Sequence, residues 1–339
     1  EQTLTFGAAI IATGAPPFVP PIPGADSEGV ETSNTIWNLD EPPKRLAVVG
    51  AGAIGLEMAQ IFRDFGAEVT AFETQDRVLA EVEAEVAKTL TQALEGEERL
   101  TLHVSSQVKK IEGEAGNLTV HFADAEGKDH QVTVDRVLMA TGKRPDLSGL
   151  GLEEAGVKTD GSFIDVDAGG LTSQPHIFAA GDVIGGLMLA HTATAQGRIA
   201  AKNLLGERAR YSQAVDCGVI FTRPEAAFAG LTEEQAKEAG FDPVSGKTFV
   251  KIDAMAMIEG EEEGIVKLVA DKKTHRILGV HILADHADNL IGEGVMMVSG
   301  GLTLDQVADA IHPHPTQTEL FGDVAKRLLA RVQRAKKKG

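Results

Sequence analysis

Cysteine, tryptophan and tyrosine each occur once in 339 residues. The lone thiol, Cys217, cannot close a disulfide within the chain, which fits a reducing compartment. It also leaves no Cys/His cluster of metal-ligand spacing, so no metal site is expected. Cationic residues are scarce as well: 32 Lys and Arg against 50 Asp and Glu give a net charge of −18. Phosphate backbones are held by clustered Lys and Arg, so a nucleic-acid partner is not expected. No apolar run approaches the roughly 20 residues of a membrane span. No secretory leader pattern is visible either, so the expected location is the cytoplasm.

What is present separates into four stretches. Residues 1–40 hold a short strand, read over "EQTLTFGAAIIATG", then the proline-rich connector "GAPPFVPPIPG". Residues 41–146 alternate strand and helix patterns, with "RLAVVG", a helix over "GLEMAQIFRDFG" and "EVTAFE". A meander is read over "LTVHFADAEGKDHQVTVDRVLMA". Residues 147–205 carry "HIFAAGDV" and the helical "TATAQGRIAAKNLLG". Residues 206–339 read as α+β: strands over "GVIFT", "KTFVKIDAMAM", "GIVKLVAD" and "RILGVHILA", then two or three helices. Lys336–Lys338 reads as a solubilising helix end. Beginning inside a strand pattern, the sequence carries the expectation of an upstream segment.

The strongest motif is "VVGAGAIGLEMA", with Gly50, Gly52 and Gly55 between a strand and an amphipathic helix. The first glycine allows the tight turn, the second admits a pyrophosphate, and the third lets helix and strand pack closely. Glu73 follows Gly55 by eighteen residues at the end of the next strand, where a carboxylate holds both ribose hydroxyls. It would repel a 2′-phosphate, so the expected nucleotide is NAD. Glu57 either favours the helix dipole or contacts the nucleotide.

Two boxes, "IIATGAPP" and "VLMATGKRPD", end an apolar strand in Ala-Thr-Gly and then reach a proline. A third, "HIFAAGDV", sets Asp182 just past a strand and glycine, ahead of "GGLMLAHTATAQG". Asp182 can accept from a ribityl or sugar hydroxyl, and the amides of Leu189 to His191 can meet a ring or phosphate. Together the boxes imply a second, larger cofactor. Near the C-terminus, "IHPHPTQTEL" places Glu319 five positions after His314. This is either a base with an orienting carboxylate or a capping box opened by Thr316.

In this order the motifs resemble the pyridine-nucleotide flavoprotein disulfide reductases, and among them the dihydrolipoyl dehydrogenases. The resemblance runs through "ATG", "GAGAIGLE", the second "ATG" with "KRP", "TSQPHIFAAGD", "MLAH", "VIFTRPEAAFAGLTEEQA" and "HPHPTQTE". It implies a Rossmann-type NAD-binding domain (41–146) inserted in a partial FAD-binding domain (1–40 and 147–205), followed by an α+β dimerisation domain (206–339). It implies FAD at Ala12, Thr13, Gly14, Gly181, Asp182, Met188, Leu189, Ala190 and His191. NAD is implied at Gly50, Ala51, Gly52, Ala53, Ile54, Gly55, Leu56, Glu57, Glu73, Val108 and Gly142. His314 matches the family's base and Glu319 its orienting carboxylate; in the family that base acts on the redox disulfide of the other subunit of a homodimer, with a small thiol as substrate. That thiol would be a lipoyl group, carried on a domain of a 2-oxo acid dehydrogenase complex. The resemblance also implies a cis His314–Pro315 bond. The family's cysteine pair and first FAD-binding βαβ unit are not in the sequence, and Cys217 reads as a small buried residue. Mercuric reductase-like and glutathione reductase-like members, or a non-catalytic NAD-binding dimer, remain the other readings.

Overall fold

The run "RLAVV" forms the strand Arg45–Val49 with its last four residues buried, as a parallel strand covered on both faces must be. In the computed structural model, which describes residues 3–261 and 263–336, this strand is the middle of a five-stranded parallel sheet. The order is Val30–Thr32, Arg136–Met139, Arg45–Val49, Glu68–Phe72, Leu100–His103. The helices Ala53–Asp64 and Ala84–Glu95 bury Leu56, Phe62, Leu90 and Leu94 in a core shared with Leu46 and Val48. A three-stranded antiparallel meander lies beside it: Gln107–Glu114, Asn117–Ala123 and Asp129–Val134.

One expectation changes here. The sequence pattern puts "DRVLMA" in the meander, yet Arg136–Met139 runs parallel to Arg45–Val49. Val137, Leu138 and Met139 are all buried, and an edge of the meander could cover only one face of them.

The described residues gather into two units. One joins the chain up to Phe18 with Gly142–Asp216; the other joins Val19–Thr141 with the chain from Cys217 onward. In the first unit Ala9–Ile11 pairs in parallel with Ile177–Ala179, and the helix Ala190–Leu204 follows.

The second unit also holds an antiparallel five-stranded sheet, ordered Cys217–Ile220, Glu225–Gly230, Ile277–Ala284, Ile265–Asp271, Pro243–Phe249. Helices Ala287–Ser299, Leu304–Asp309 and Glu319–Lys336 come after it, and Phe321, Val324 and Leu328 of the last are buried in its core. The strand Glu225–Gly230 went unread in the sequence. The strand expected through "KTFVKIDAMAM" stops at Phe249 and gives way to the helix Ala254–Glu259. After Phe249 the chain turns through the short 3-10 segment Val250–Ile252, and Asp253, whose carboxylate accepts the Met255 and Ala256 amides, caps the helix that follows. Cys217 starts an edge strand and is half-buried rather than buried. No helix among the described residues is long and apolar enough to cross a membrane. The basic tail, past Lys336, lies outside the described residues.

Candidate functional site

The glycine turn is built as its spacing requires. Gly50 has φ +103°, and a Cβ there would lie 2.5 Å from the Ala140 carbonyl oxygen. A Cβ at Gly55 would sit 1.9 Å from the Gly50 carbonyl oxygen, so the helix packs on the turn with no room for a side chain. Around Gly52 the space is open: a Cβ built there meets nothing within 4 Å. Gly52 caps the helix without a side chain, and the first turn holds no acid. The helix N-terminus therefore offers backbone N–H groups and positive potential to an anion.

Glu73 follows the neighbouring strand Glu68–Phe72 and reaches into this turn. Its Oε2 accepts the Ala51 amide at 2.9 Å, and its Oε1 accepts the Gln75 amide at 2.8 Å. Ala51 and Leu56 are buried, while Ala53 and Ile54 are partly buried against the sheet core. The Ala51 amide goes to Glu73 and the Leu56 amide to the Gly52 carbonyl, so the amides a dinucleotide can meet are those of the first turn at Ala53 and Ile54. The arrangement fits an NAD pyrophosphate and ribose.

Glu57 sits one turn further along, and its Oε1 accepts the Phe221 amide at 2.9 Å. Burial pushes its carboxyl above the ordinary range, and the Phe221 N–H partly offsets this. Val108 is buried beside Phe72 and Phe122, in the ladder opposite Phe122, so its side chain does not face a ligand. Gly142, with φ +96°, belongs to the other unit, where its carbonyl accepts the Phe18 amide.

In the first unit, Ala12, Thr13 and Gly14 leave the end of Ala9–Ile11 beside the end of its parallel partner. The Ala180 amide donates to the Ile11 carbonyl, and the Gly181 amide to the Gln196 side chain. Asp182 follows, held by Lys143 at 3.2 Å. Met188 has φ +52°, a left-handed backbone costing a non-glycine residue about 1 kcal/mol. It leads into Leu189, which caps the helix Ala190–Leu204 without a side-chain bond or an acid in the first turn. Gly14, φ +73°, has nothing within 4 Å of a built Cβ. Two strand ends, an uncapped helix N-terminus carrying His191 and an aspartate fit one face of a flavin dinucleotide.

His314 lies between the last two helices, exposed, with its Nδ1 3.0 Å from Glu319 Oε2 and 3.2 Å from Oε1. The His314–Pro315 bond is cis. Glu319 also accepts the Thr316 amide at 3.1 Å, half of the capping box. The other half is absent: the Thr316 hydroxyl donates to Pro313 O instead, and the helix begins at Glu319 itself. The Thr316 N–H, joined by the His314 ring, holds the Glu319 carboxyl below its ordinary range.

A second histidine of the same loop went unassigned in the sequence. His312 Nε2 lies 3.0 Å from Glu293 Oε1 on the helix Ala287–Ser299, with Gly322 leaving room for its ring. "HPHP" showed both histidines, but nothing in the sequence linked His312 to a carboxylate nineteen residues back. Lys143 was visible in "ATGKRPD", and its pairing across 39 residues to Asp182 was not.

Comparison with known proteins matches residues 1–197 to the family described as pyridine nucleotide-disulphide oxidoreductase, and residues 217–325 to its dimerisation domain. A dihydrolipoyl dehydrogenase of Thermus scotoductus is 38% identical over 330 residues, covering 96% of this chain and 71% of that protein. One from Bacillus subtilis is 35% identical over 327 residues, covering 96% and 69%. A mercuric reductase of Staphylococcus aureus is 35% identical over 322 residues, covering 94% and 58%. Among solved structures, LpdA from Mycobacterium tuberculosis superposes with a TM-score of 0.83 at 29% identity, over 94% of this chain and 69% of that one. The HOCl-induced flavoprotein disulfide reductase RclA from Escherichia coli gives 0.82 at 30% identity, over 94% and 73%. Matched over residues 1–197 and, by its dimerisation domain, over 217–325, the chain belongs to the pyridine nucleotide-disulphide oxidoreductases, enzymes that work with FAD and a pyridine nucleotide.

Proposed function

We propose that this chain serves a homodimeric, NAD-linked dithiol oxidoreductase that converts dihydrolipoamide and NAD⁺ into lipoamide, NADH and a proton. The dihydrolipoyl dehydrogenase relatives support this reading, and the His314–Glu319 pair carries it. A carboxylate only accepts, so Nδ1 holds the hydrogen and Nε2 is the nitrogen open to a substrate proton.

A free thiol is mostly protonated at neutral pH, and the thiolate is the nucleophile. Nε2 of His314 takes the S–H proton as the substrate sulfur attacks a disulfide. One S–S bond breaks, a mixed disulfide forms, and the departing sulfur leaves as a thiolate. Glu319 holds the ring and stabilises the imidazolium without taking the proton. Cys217 cannot be that disulfide alone; the resemblance puts the reacting cysteine pair ahead of the first Ala-Thr-Gly, outside these 339 residues. When bound, FAD and NAD supply the electron acceptance and hydride transfer.

Residues 1–40 and 147–205 would hold the flavin, 41–146 the nucleotide and 206–339 the dimer contact, in the cytoplasm. The carrier of the lipoyl group would be a domain of a 2-oxo acid dehydrogenase complex. Glu73 selects NAD: like unit charges 4 Å apart repel by about 1 kcal/mol in water and about 4 kcal/mol at an effective dielectric near 20.

A mercuric reductase reading is kept because such enzymes stand among the relatives. The two separate in a substrate panel on the complete enzyme carrying its cysteine pair. Dihydrolipoamide oxidation with NAD⁺ should far exceed Hg(II) reduction with NADPH. The reverse order would overturn the proposal.

A further inference from the structure

Across three neighbouring strands of the antiparallel sheet, Lys247, Lys267 and His281 stand directly opposite one another. A lysine in such a row is ordinarily solvated, yet Lys267 is 3% exposed. A buried ammonium is tolerated only when paired, and its partners come from the helix that follows the nucleotide crevice. Lys267 Nζ lies 2.9 Å from Glu83 and 2.7 Å from Glu85, and Lys247 lies 2.6 Å from Glu85. Glu83 is the N-cap residue of Ala84–Glu95 but does not cap its own helix. Its other oxygen accepts the Glu233 amide at 3.0 Å, at the start of the helix Glu233–Glu238.

The loop between Glu73 and Glu83 is thus fastened at both ends. At the crevice, Glu73 accepts the Ala51 amide and the Leu79 amide donates to the Ala51 carbonyl at 3.0 Å. At the far end Glu83 is fixed by Lys267 and the Glu233 amide. Val78 and Leu79 between them are buried, so the loop has little freedom to absorb a displacement of either end.

We propose that Lys267, supported by Lys247, is a positioning residue for the nucleotide. It holds the Glu73–Glu83 loop from the dimerisation sheet, so that sheet sets the affinity of the crevice. The inference rests on the nucleotide reading of Glu73 and the glycine turn. The lock touches no part of the ligand and acts through the loop alone.

The test uses the full chain and NADH as the probe, with Kd read by fluorescence titration well below the melting temperature. Hydrogen exchange at the Leu79 amide is followed in parallel. Lys267→Met should raise the NADH Kd on the order of tenfold and speed Leu79 exchange, and Lys267→Arg should recover most of both. Should Lys267→Met not fold, Lys247→Met removes the outer cation and should move both readouts the same way by a smaller factor. A folded variant with a lower melting temperature but unchanged Kd and exchange would show a purely structural ion pair and overturn the proposal. Glu73→Gln separates the two failures. If it leaves NADH binding untouched, the nucleotide reading fails; if it weakens binding while the lysine variants do not, only the lock fails.

Discussion

Glu319 holds the imidazole of His314 by its Nδ1 at 3.0 Å, from the first residue of an eighteen-residue helix. A helix end is stiffer than a loop, so the carboxylate fixes a ring that is otherwise exposed. The same carboxylate accepts the Thr316 amide, which pins the loop carrying the histidine. Capping and orientation are thus combined in one side chain.

Glu319→Gln keeps an acceptor for Thr316 but loses the carboxylate charge facing His314 Nδ1. Turnover with a dithiol should fall more than tenfold while the melting temperature at neutral pH changes little, the pair being exposed. Glu319's folded carboxyl titrates below its ordinary 4.5, so its contribution to stability is present above that value and fades as pH falls through the depressed one. The small melting difference between wild type and variant should therefore vanish in acid, measured by thermal scans from pH 7 to 3.

Gly52 and Gly55 separate fold from binding. A methyl on Gly55 meets Gly50 O at 1.9 Å, so Gly55→Ala should cost about 1–3 kcal/mol by overpacking. A methyl on Gly52 meets nothing, so Gly52→Ala should fold normally and lose NADH affinity at least tenfold on the order of one obstructed phosphate contact. Denaturant melts and NADH titrations of both variants check this.

The turn and the histidine pair were legible because their requirements are local. Glycines at fixed spacing, and a carboxylate five residues from an imidazole, state their chemistry in one stretch of chain. Lys267 was not legible: its partner Glu83 is 184 residues away, and a lysine between apolar neighbours in "GIVKLVAD" reads as a solvated side chain. Arg136–Met139 was placed in the wrong sheet because alternation cannot say which neighbour covers a strand's second face. The end of Pro243–Phe249 is not legible because the turn Val250–Ile252 and the Asp253 cap beyond it look, in the apolar run, like a continuing strand.

Tyr211, the chain's only tyrosine, gives a spectroscopic check on the first unit. Burial, then the hydrogen bond its hydroxyl donates to Asp216, pushes its phenol well above the ordinary range. Asp216 also accepts from Thr192 in the first turn of the proposed flavin helix, at 2.9 Å. Absorbance at 295 nm should stay flat through the ordinary phenol value of 10.0 and rise only with unfolding. A smooth rise centred there in the folded chain would contradict this contact. Its stability contribution, present below that value, should fade as pH climbs beyond it.

The buried cluster sets both ends of the pH range. Burial raises the Glu83 carboxyl, but the Lys267 bond and the Glu233 N–H outweigh it and leave it depressed. Its stability is present above the ordinary 4.5 and lost as pH falls through the depressed value. Lys267 is raised overall, its carboxylate partners outweighing burial, so its share persists below 10.5 and is lost as pH rises through the raised value. Burial keeps His281 neutral, so protonation of the unfolded chain erodes stability as pH drops below 6.5. The melting temperature should decline from about pH 6.5 downward, and His281→Gln should flatten that part of the curve.

The most direct measurement is the ratio of two activities, with and without His314→Ala, in a homodimer supplied with the reacting cysteine pair. Dihydrolipoamide oxidation should fall on the order of a hundredfold or more, the size of a lost general base. NADH oxidation by an artificial acceptor, which needs no thiol proton removed, should stay close to wild type. Equal losses in both would contradict His314 as the base.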